Sequence, residues 1–262
     1  MRPIQWLGVL GIFLPGILMA GPQQADGAAA EDGSATMQNE PAENGPESEA
    51  AFPAESEDEE QSVEEETSQP PSQAEETASS TEQATAVVAK LNQTLLEIMR
   101  RAKALGYSGR YQLLEPVVEQ VYDFFAISRY VLGSHWGRLT KKEKETFIAK
   151  MTEYGIASYA AQFDDYANEQ FNILSEEPFR TRFRIVKAML EVPEGEDVEF
   201  VYILRPTREG WKIIDVRYDG VSDLALKRGQ FADILAKEGF ERLLTKLNEK
   251  IENYAKGGKS KE

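Results

Sequence analysis

The hydrophobic pattern changes its period twice along the chain, and this limits the possible folds more than any other feature. From about residue 86 to residue 163, apolar residues recur at the three- and four-residue spacing of helices. Over 170–218 they alternate with polar residues, as in strands that bury one face. After Asp219-Gly220 the helical spacing returns and continues to Tyr254. We therefore predict an α+β domain in which helices precede and follow a sheet.

Glycines, capping residues and one proline divide the helical parts into separate elements. A capping box at Thr140 and Glu143 predicts the start of a long helix, and Ser222 is placed to cap the first helix after the sheet. Pro116 is expected to kink the second helix. The pattern predicts helices over 87–105, 111–122, 123–132, from Thr140 to about 163, 224–237 and 240–254.

Four segments of the middle region have the alternation and the flanking turn residues of strands. They are predicted at 170–174, 180–190, 198–205 and 211–218. Short connections make the later strands antiparallel neighbours. We therefore expect a curved antiparallel sheet of about four strands wrapped by helices, an NTF2-like arrangement. A sheet of this shape would enclose an apolar space.

Charge is strongly segregated along the chain. Residues 21–83 contain 18 Asp and Glu and no Lys or Arg, and Phe52 is their only aromatic residue. Such a segment buries too little apolar surface to fold, so we predict a disordered acidic linker. It is either a solvated spacer or a charged arm that docks a basic partner or repels anionic lipid head groups. Residues 84–256 are predicted to form one domain, and 257–262 a polar tail.

The first twenty residues have the pattern of a secretory signal. Arg2 precedes an apolar run from Ile4 to Leu18, and the small residue Ala20 follows it. The run is shorter than the ~20 residues that span a bilayer comfortably. We therefore expect residues 1–20 to be a signal peptide cleaved near Ala20; an uncleaved membrane anchor is the alternative.

Composition excludes several classes of function. Residues 84–262 hold 27 acidic and 28 basic residues, so the domain is close to neutral and lacks the clustered basic charge of a nucleic-acid-binding protein. The chain has no Cys and one His, which argues against thiolate chemistry, His-rich metal sites and Ser-His relays. We expect no metal and no cofactor. Twelve aromatic residues lie between Tyr107 and Tyr166; most will fill the core, but together they could also line an apolar pocket.

Two stretches resemble the MlaC, or toluene-tolerance, family of periplasmic lipid-binding proteins. One runs from Trp211 to the Gly-Val-Ser turn at 220–222 and continues through 226–231 to Gly239. The other is Val131–Thr140, followed by Phe147 and the helix that carries Tyr154 and Tyr159. The Gly-Arg-Tyr sequence at 109–111 and the overall layout are most similar to the hopanoid-associated branch called HpnM. The resemblance covers about 86–254.

The resemblance implies a lipid carrier without catalytic activity. It would be a periplasmic monomer that holds a phospholipid or hopanoid with its tails in a pocket between sheet and helices. Its expected partners are an inner-membrane lipid transporter of the ABC type and an outer-membrane lipid complex. Exposing a 16-carbon chain to water costs on the order of 12 kcal/mol at ~0.8 kcal/mol per CH₂, so a lipid needs such a cover to cross an aqueous space.

Ten residues are predicted to contact the lipid. The resemblance implies Tyr154 and Tyr159 on the long helix, Ile185 or Val186 on an inward strand position, and Val221 and Ser222 at the mouth. The period-two pattern adds four more candidates, namely Phe183, Tyr202, Ile214 and Val216. Ser222 and the arginines at 184, 217 and 228 are the candidate head-group contacts.

Two other functions stay open on the sequence alone. Asp215 and Tyr202 lie on neighbouring predicted strands and could form the Asp base and Tyr donor of a small enzyme, as in ketosteroid isomerase. Asp215 is more simply a structural carboxylate, and His135 a packed or exposed loop residue. A periplasmic adaptor that binds no lipid is the other alternative.

Overall fold

The computed structural model describes residues 73–193 and 195–257. The predicted signal at 1–20, residues 21–72 of the predicted linker, and the tail from residue 258 lie outside the described residues. The first helix begins at Gln73, within the range predicted to be linker. Across the described part of the chain, no helix is both long enough and apolar enough to cross a membrane.

Six α-helices, one 3-10 helix and five strands make up the described domain. The α+β prediction with an antiparallel sheet is confirmed, and the strand order is β1-β2-β3-β4-β5. The elements are α1 (Gln73–Arg100), α2 (Ala102–Val121), α3 (Phe124–Leu132), a 3-10 helix (Gly133–Arg138), α4 (Lys141–Gln162), β1 (Gln170–Phe179), β2 (Phe183–Glu191), β3 (Val198–Thr207), β4 (Gly210–Tyr218), β5 (Val221–Ser222), α5 (Asp223–Lys237) and α6 (Phe240–Ala255).

The sheet is larger than predicted at both edges. The predicted first strand ends at Leu174, but β1 continues through polar residues and Pro178 to Phe179. An edge strand tolerates a proline and charged residues, because one of its sides makes no ladder hydrogen bonds. A register shift between Ile173 and Ser175 also interrupts the alternation there. At the other edge, the two residues of β5 pair with the end of β4 and add a fifth strand.

The predicted division of the first helical region at Gly106 is confirmed. α1 ends at Arg100 and α2 begins at Ala102, but the Arg101 amide donates to the Glu97 carbonyl and the Leu105 amide donates to the Arg101 carbonyl, so helical hydrogen bonds continue across that boundary. The chain leaves helical angles at Gly106, with φ 57° and ψ −173°. Pro116, the predicted kink, lies inside α2, but the departure from helical angles is at Gly106. A glycine adopts positive φ at little cost, so the bend falls there.

The predicted capping residues occupy their expected positions. Thr140 forms a capping box with Glu143 at the start of α4: the Thr140 hydroxyl accepts from the Glu143 amide at 3.3 Å, and the Glu143 carboxylate accepts from the Thr140 amide at 2.7 Å. Asp123, which was not predicted as a cap, caps α3 by accepting from the Ala126 amide at 2.9 Å. Ser222 caps α5 by accepting from the Ala225 amide at 3.0 Å. These side chains fix where three helices begin.

We expect Thr140→Ala to lower the free energy of unfolding by about 1 kcal/mol, because it removes half of the capping box of α4. Urea unfolding measures the change as a shift of the midpoint. Thr245→Ala is the matched control, since Thr245 is exposed inside α6 and bonds only to the carbonyl of Glu241. The control should leave stability unchanged or raise it slightly. Equal effects of the two variants would contradict the capping role of Thr140.

The helices cover the sheet in two regions. α1 packs across β1, β2 and β4, whereas α5 packs against β4. α4 lies among α2, α3 and α6. The core contains large side chains that are almost completely buried, among them Phe147, Phe163, Phe200 and Tyr202. Where α3, α4 and α5 meet β4, this packing leaves a small space.

Candidate functional site

A cavity of about 50 Å³ lies among α3, α4, α5 and β4. Its wall is mainly apolar and aromatic, with a group of charged residues at the β5–α5 end. The lining residues are Tyr122, Phe124, Ile127, Met151, Tyr154, Gly155, Tyr159, Ile214, Asp215, Val216, Tyr218, Asp223, Leu224 and Lys227. By volume it would accommodate a few water molecules. A lipid tail therefore requires the wall to move apart.

An irregularity in β4 brings consecutive residues to the cavity. Asp215 pairs with Ile203 and Ile213 pairs with Leu204, so Ile214 is an extra residue in the ladder. A bulge of this kind breaks the alternation of side chains between the two faces. As a result Ile214, Asp215 and Val216 all line the cavity.

Tyrosine hydroxyls provide the polar groups at one side of the cavity. The Tyr122 and Tyr159 hydroxyls are hydrogen-bonded to each other, and Tyr159 also shares a hydrogen bond with Tyr218. Burial raises the pKa of Tyr122 and Tyr218 well above the usual value and that of Tyr159 to about 12. The three hydroxyls therefore stay protonated at neutral pH and are available as hydrogen-bond donors or acceptors.

Asp215 and Ser222 stabilise the start of α5. The Asp215 carboxylate accepts hydrogen bonds from the Ser222 hydroxyl at 2.8 Å and from the Leu224 amide at 3.1 Å. Burial raises the pKa of Asp215, although these hydrogen bonds oppose that shift. Ser222 uses its hydroxyl both to donate to Asp215 and to accept from Ala225. Both side chains are thus engaged within the fold.

A buried ion pair forms part of the cavity wall. The Lys227 ammonium donates to the Asp223 carboxylate at 2.6 Å, and their side chains are 6% and 18% exposed. Burial raises the pKa of Asp223 to about 7 and lowers that of Lys227 to about 8, in each case against the attraction of the partner. Asp215 and, more weakly, Lys250 also act on Lys227. Burial thus disfavours both charges of the pair.

This pair should make stability depend on pH in two windows. Between pH 3.8 and about 7, Asp223 keeps its proton in the folded protein but has lost it in the unfolded chain, so the free energy of unfolding falls as pH rises. Between about pH 8 and pH 10.5, Lys227 keeps its proton in the unfolded chain but has lost it in the folded protein, so the free energy of unfolding rises with pH. The pair therefore contributes least stability between about pH 7 and pH 8.

The double variant Asp223→Asn/Lys227→Met tests this pH dependence. Near pH 7.5 we expect it to be as stable as the original chain or more stable, by up to ~1–4 kcal/mol, because a buried ion pair is often weaker than a packed apolar replacement. The measurement is the unfolding free energy of both proteins from about pH 5 to pH 10. A difference that is constant over this range would contradict the role of the pair.

The structure brings four of the ten predicted lipid contacts together in the cavity wall: Tyr154, Tyr159, Ile214 and Val216. Val186 and Tyr202 are fully buried, and Tyr202 donates to Asn92 of α1 at 2.8 Å, so α1 covers that part of the sheet. The other candidates also lie away from the wall. Phe183 is at the start of β2, and Ile185 pairs across the sheet with Ile203, which in turn pairs with Asp215. Val221 is on β5 with 49% of its surface exposed, and Ser222 caps α5.

The arginines chosen as head-group candidates have partners within the protein. Arg184 lies 3.4 Å from Glu176 and over the ring of Trp211. Arg217 lies 3.8 Å from Asp215, and Arg228 stacks on Tyr130 while it donates to the Tyr130 carbonyl at 3.1 Å. Tyr202 and Asp215 bond to different groups, Asn92 and Ser222, rather than forming an Asp-Tyr pair. His135 stacks on Phe240.

A wide groove of about 1000 Å³ adjoins the cavity. Tyr122 and Phe124 line both spaces, so these two rings separate them. The groove lies at the β3–β4 turn, the opposite end of β4 from the Gly220 turn where the sequence places the mouth. The remaining groove residues are Glu119, Asp123, Thr152, Arg182, Arg205, Pro206, Thr207, Arg208, Glu209 and Lys212.

The groove residues were not among the candidates predicted from the sequence, because the groove depends on how helices and turns pack together. Arg182 lies in the β1–β2 turn and Arg208 in the β3–β4 turn. In an antiparallel sheet of sequential strands, alternate turns fall at the same end, so the predicted order already places these arginines near each other. The sequence does not show which helices close the space beside them.

Comparisons with known proteins agree on one family. A family profile described as MlaC protein matches residues 89–249, which is more than half of the chain. The intermembrane phospholipid transport system binding protein MlaC from Haemophilus influenzae is 25% identical over 124 residues, which cover 45% of this chain and 58% of that protein. The matched part therefore spans less than two thirds of that relative.

A solved structure shows the same fold. The phospholipid-binding protein from Ralstonia solanacearum, determined in complex with a phospholipid, superimposes with a TM-score of 0.58 and 20% identity. The alignment covers 66% of this chain and 98% of that one, so almost all of the second protein has a counterpart here. At this identity the likeness shows the fold. Together with the family profile, it identifies the chain as a member of the MlaC family.

Proposed function

We propose that this chain is a periplasmic, non-catalytic carrier that shields the tails of a phospholipid and moves the lipid between the inner and outer membranes. The observation that carries the proposal is the mainly apolar cavity between β4 and the helices, in a domain of the MlaC family. The names of the Haemophilus and Ralstonia proteins, one a phospholipid transport component and the other a phospholipid-binding protein, support phospholipid as the ligand.

The cavity would have to widen to accept a tail. Its volume of about 50 Å³ suits the empty form of a carrier, in which the apolar walls close on each other. At Gly155 of α4, the ring of Phe124 from α3 lies close to the backbone, since a Cβ there would be 3.1 Å from the ring. Separation of α3 from α4 would join the cavity to the groove beyond Phe124 and Tyr122.

The cavity wall suits a lipid better than a reacting substrate. Aromatic and aliphatic side chains replace water around the tails, and burial of ~0.8 kcal/mol per CH₂ supplies the binding energy. The three tyrosine hydroxyls could bond to oxygens near the glycerol of a lipid. Of the charged residues in the wall, Lys227 and Asp223 are bonded to each other, and the Asp215 carboxylate accepts from the Ser222 hydroxyl and the Leu224 amide, which gives it a structural role.

The partners and the compartment are part of the same proposal. An inner-membrane transporter would load the carrier or receive its lipid. An outer-membrane lipid complex would exchange lipid with the carrier at the other membrane. The signal-like segment at 1–20 supports export to the periplasm. The hopanoid alternative rests on the resemblance to the HpnM branch at 109–111 and in the overall layout, so phospholipid is the first ligand to test.

Mass spectrometry of bound lipid tests the proposal. The exported chain is purified without detergent, its organic extract is analysed, and lipid is quantified per mole of protein. We expect stoichiometric phospholipid. Bound hopanoid would correct the identity of the ligand and leave the carrier role in place. An extract without lipid, from protein that also fails to take up phospholipid from vesicles, would overturn the proposal.

A further inference from the structure

Some charged side chains of the groove beside the cavity form ion pairs with each other, and others do not. Seven of its lining residues are charged, and four of these form two ion pairs. Arg205 Nε lies 3.0 Å from Asp123 Oδ2, and Lys212 Nζ lies 2.8 Å from Glu209 Oε2. Asp123 is further held by the Ala126 amide of α3. These two pairs are internal to the groove and add no net charge.

Arg182 and Arg208 are the remaining basic residues of the groove. Within residues 73–193 and 195–257, neither has a hydrogen bond or ion pair with another side chain. Both are exposed, and each lies in a turn at the same end of the sheet. Glu119 on α2 is the one remaining carboxylate of the groove lining. The unpaired charge of the groove is therefore positive.

The position of these arginines relates them to the cavity. They line a groove that shares the rings of Tyr122 and Phe124 with the cavity. A ligand whose apolar part occupies the cavity would extend past these rings, and its polar end would enter the groove. A guanidinium has paired N–H donors that match the oxygens of a phosphate, and it retains its charge at any physiological pH.

We propose that Arg182 and Arg208 form an anion subsite that binds the phosphodiester of a lipid whose tails occupy the cavity. This inference rests on the proposed carrier function and adds the part of the ligand that the groove recognises. The ion pairs Arg205–Asp123 and Lys212–Glu209 form the sides of the subsite and fix its shape. The head group remains accessible from solvent, because the groove is open.

Short-chain lipids with and without phosphate test the subsite. The full chain, stripped of bound lipid, is titrated with dihexanoyl phosphatidylglycerol, with dihexanoyl glycerol and with inorganic phosphate. We expect Arg182→Glu/Arg208→Glu to weaken binding of the phospholipid roughly tenfold or more and to leave binding of the diacylglycerol unchanged. Binding of the phospholipid to the original chain should also weaken as salt is added, because exposed charges are screened.

A charge-matched variant is the control. Arg138→Glu/Lys142→Glu makes the same change in net charge at exposed residues outside the groove lining, and its phospholipid affinity should equal that of the original chain. Equal losses in both double variants would show a general charge effect and overturn the subsite. Unchanged phospholipid affinity in Arg182→Glu/Arg208→Glu would overturn it as well.

The remaining outcomes separate the subsite from the carrier function. Inorganic phosphate that binds at the arginines as tightly as the phospholipid would show a site for free phosphate and overturn the lipid assignment. If the original chain binds neither dihexanoyl lipid, the proposed carrier function fails together with the subsite. If it binds both lipids equally and the arginine variants change nothing, only the subsite fails.

Discussion

Gly155→Leu should empty the protein of lipid while the domain remains folded. Gly155 lines the cavity on α4, and a Cβ at this position would lie 3.1 Å from Cζ and 3.3 Å from Cε1 of the Phe124 ring. A leucine side chain would therefore occupy the space into which a tail must enter. We expect at least a roughly tenfold loss of bound lipid per protein, equivalent to about 1.4 kcal/mol of binding free energy.

The design separates binding from stability. Leucine favours a helix over glycine by roughly 0.8–1 kcal/mol, which offsets the cost of displacing the Phe124 ring. Lipid content is measured by mass spectrometry, and unfolding free energy by urea titration of the same preparations. Gly229→Leu is the matched control, because Gly229 lies on an exposed part of α5 with open space around it. Normal lipid content in Gly155→Leu would show that the tails lie elsewhere.

Among the substitutions predicted to change stability, Phe147→Ala should produce the largest loss. Phe147 is fully buried on α4, and its ring packs edge-on against Phe231 of α5 and tilted against Phe240 of α6, with centroids 6.2 and 6.0 Å apart. Truncating a buried phenylalanine costs about 3–5 kcal/mol. At roughly 2–4 °C per kcal/mol for a domain of this size, the melting temperature should fall by about 6–20 °C.

Thermal and urea unfolding check this effect, with Leu174→Ala as the control. Leu174 is a large apolar residue on the edge strand, 55% exposed, and its truncation should change stability by no more than ~0.5 kcal/mol. A cost below about 1 kcal/mol for Phe147→Ala would mean that α5 and α6 are not held to α4 through this ring.

The elements that local chemistry determines were predictable from the sequence. The capping box at Thr140, the cap at Ser222 and the end of the helix predicted over 123–132 depend on residues a few positions apart, and the structure confirms all three. The short connections between the predicted strands likewise predicted the antiparallel pairing of β3 with β4. The α+β class followed from these local signals, because each helix or strand must bury its apolar side against another layer.

The parts that depend on packing were not predictable. The bulge at Ile214 is set by how β3 and β4 fit together, so alternation alone could not show that Asp215 would line the cavity beside Val216. The inward face of the sheet was identified at Val186 and Tyr202, but the sequence did not show that α1 covers them. The cavity instead lies over β4, under α3 and α4, which are distant from β4 in sequence, and under α5, which follows it.

The edge strand β1 is poorly suited to pair with a strand of another molecule. A second chain that added a strand there would meet the irregular register after Ile173, the missing N–H of Pro178, and the exposed carboxylate of Glu177. These features interrupt the continuous ladder that a growing β-aggregate needs. Edge-to-edge pairing at β1 is therefore disfavoured, which should help to keep the protein dispersed at high concentration.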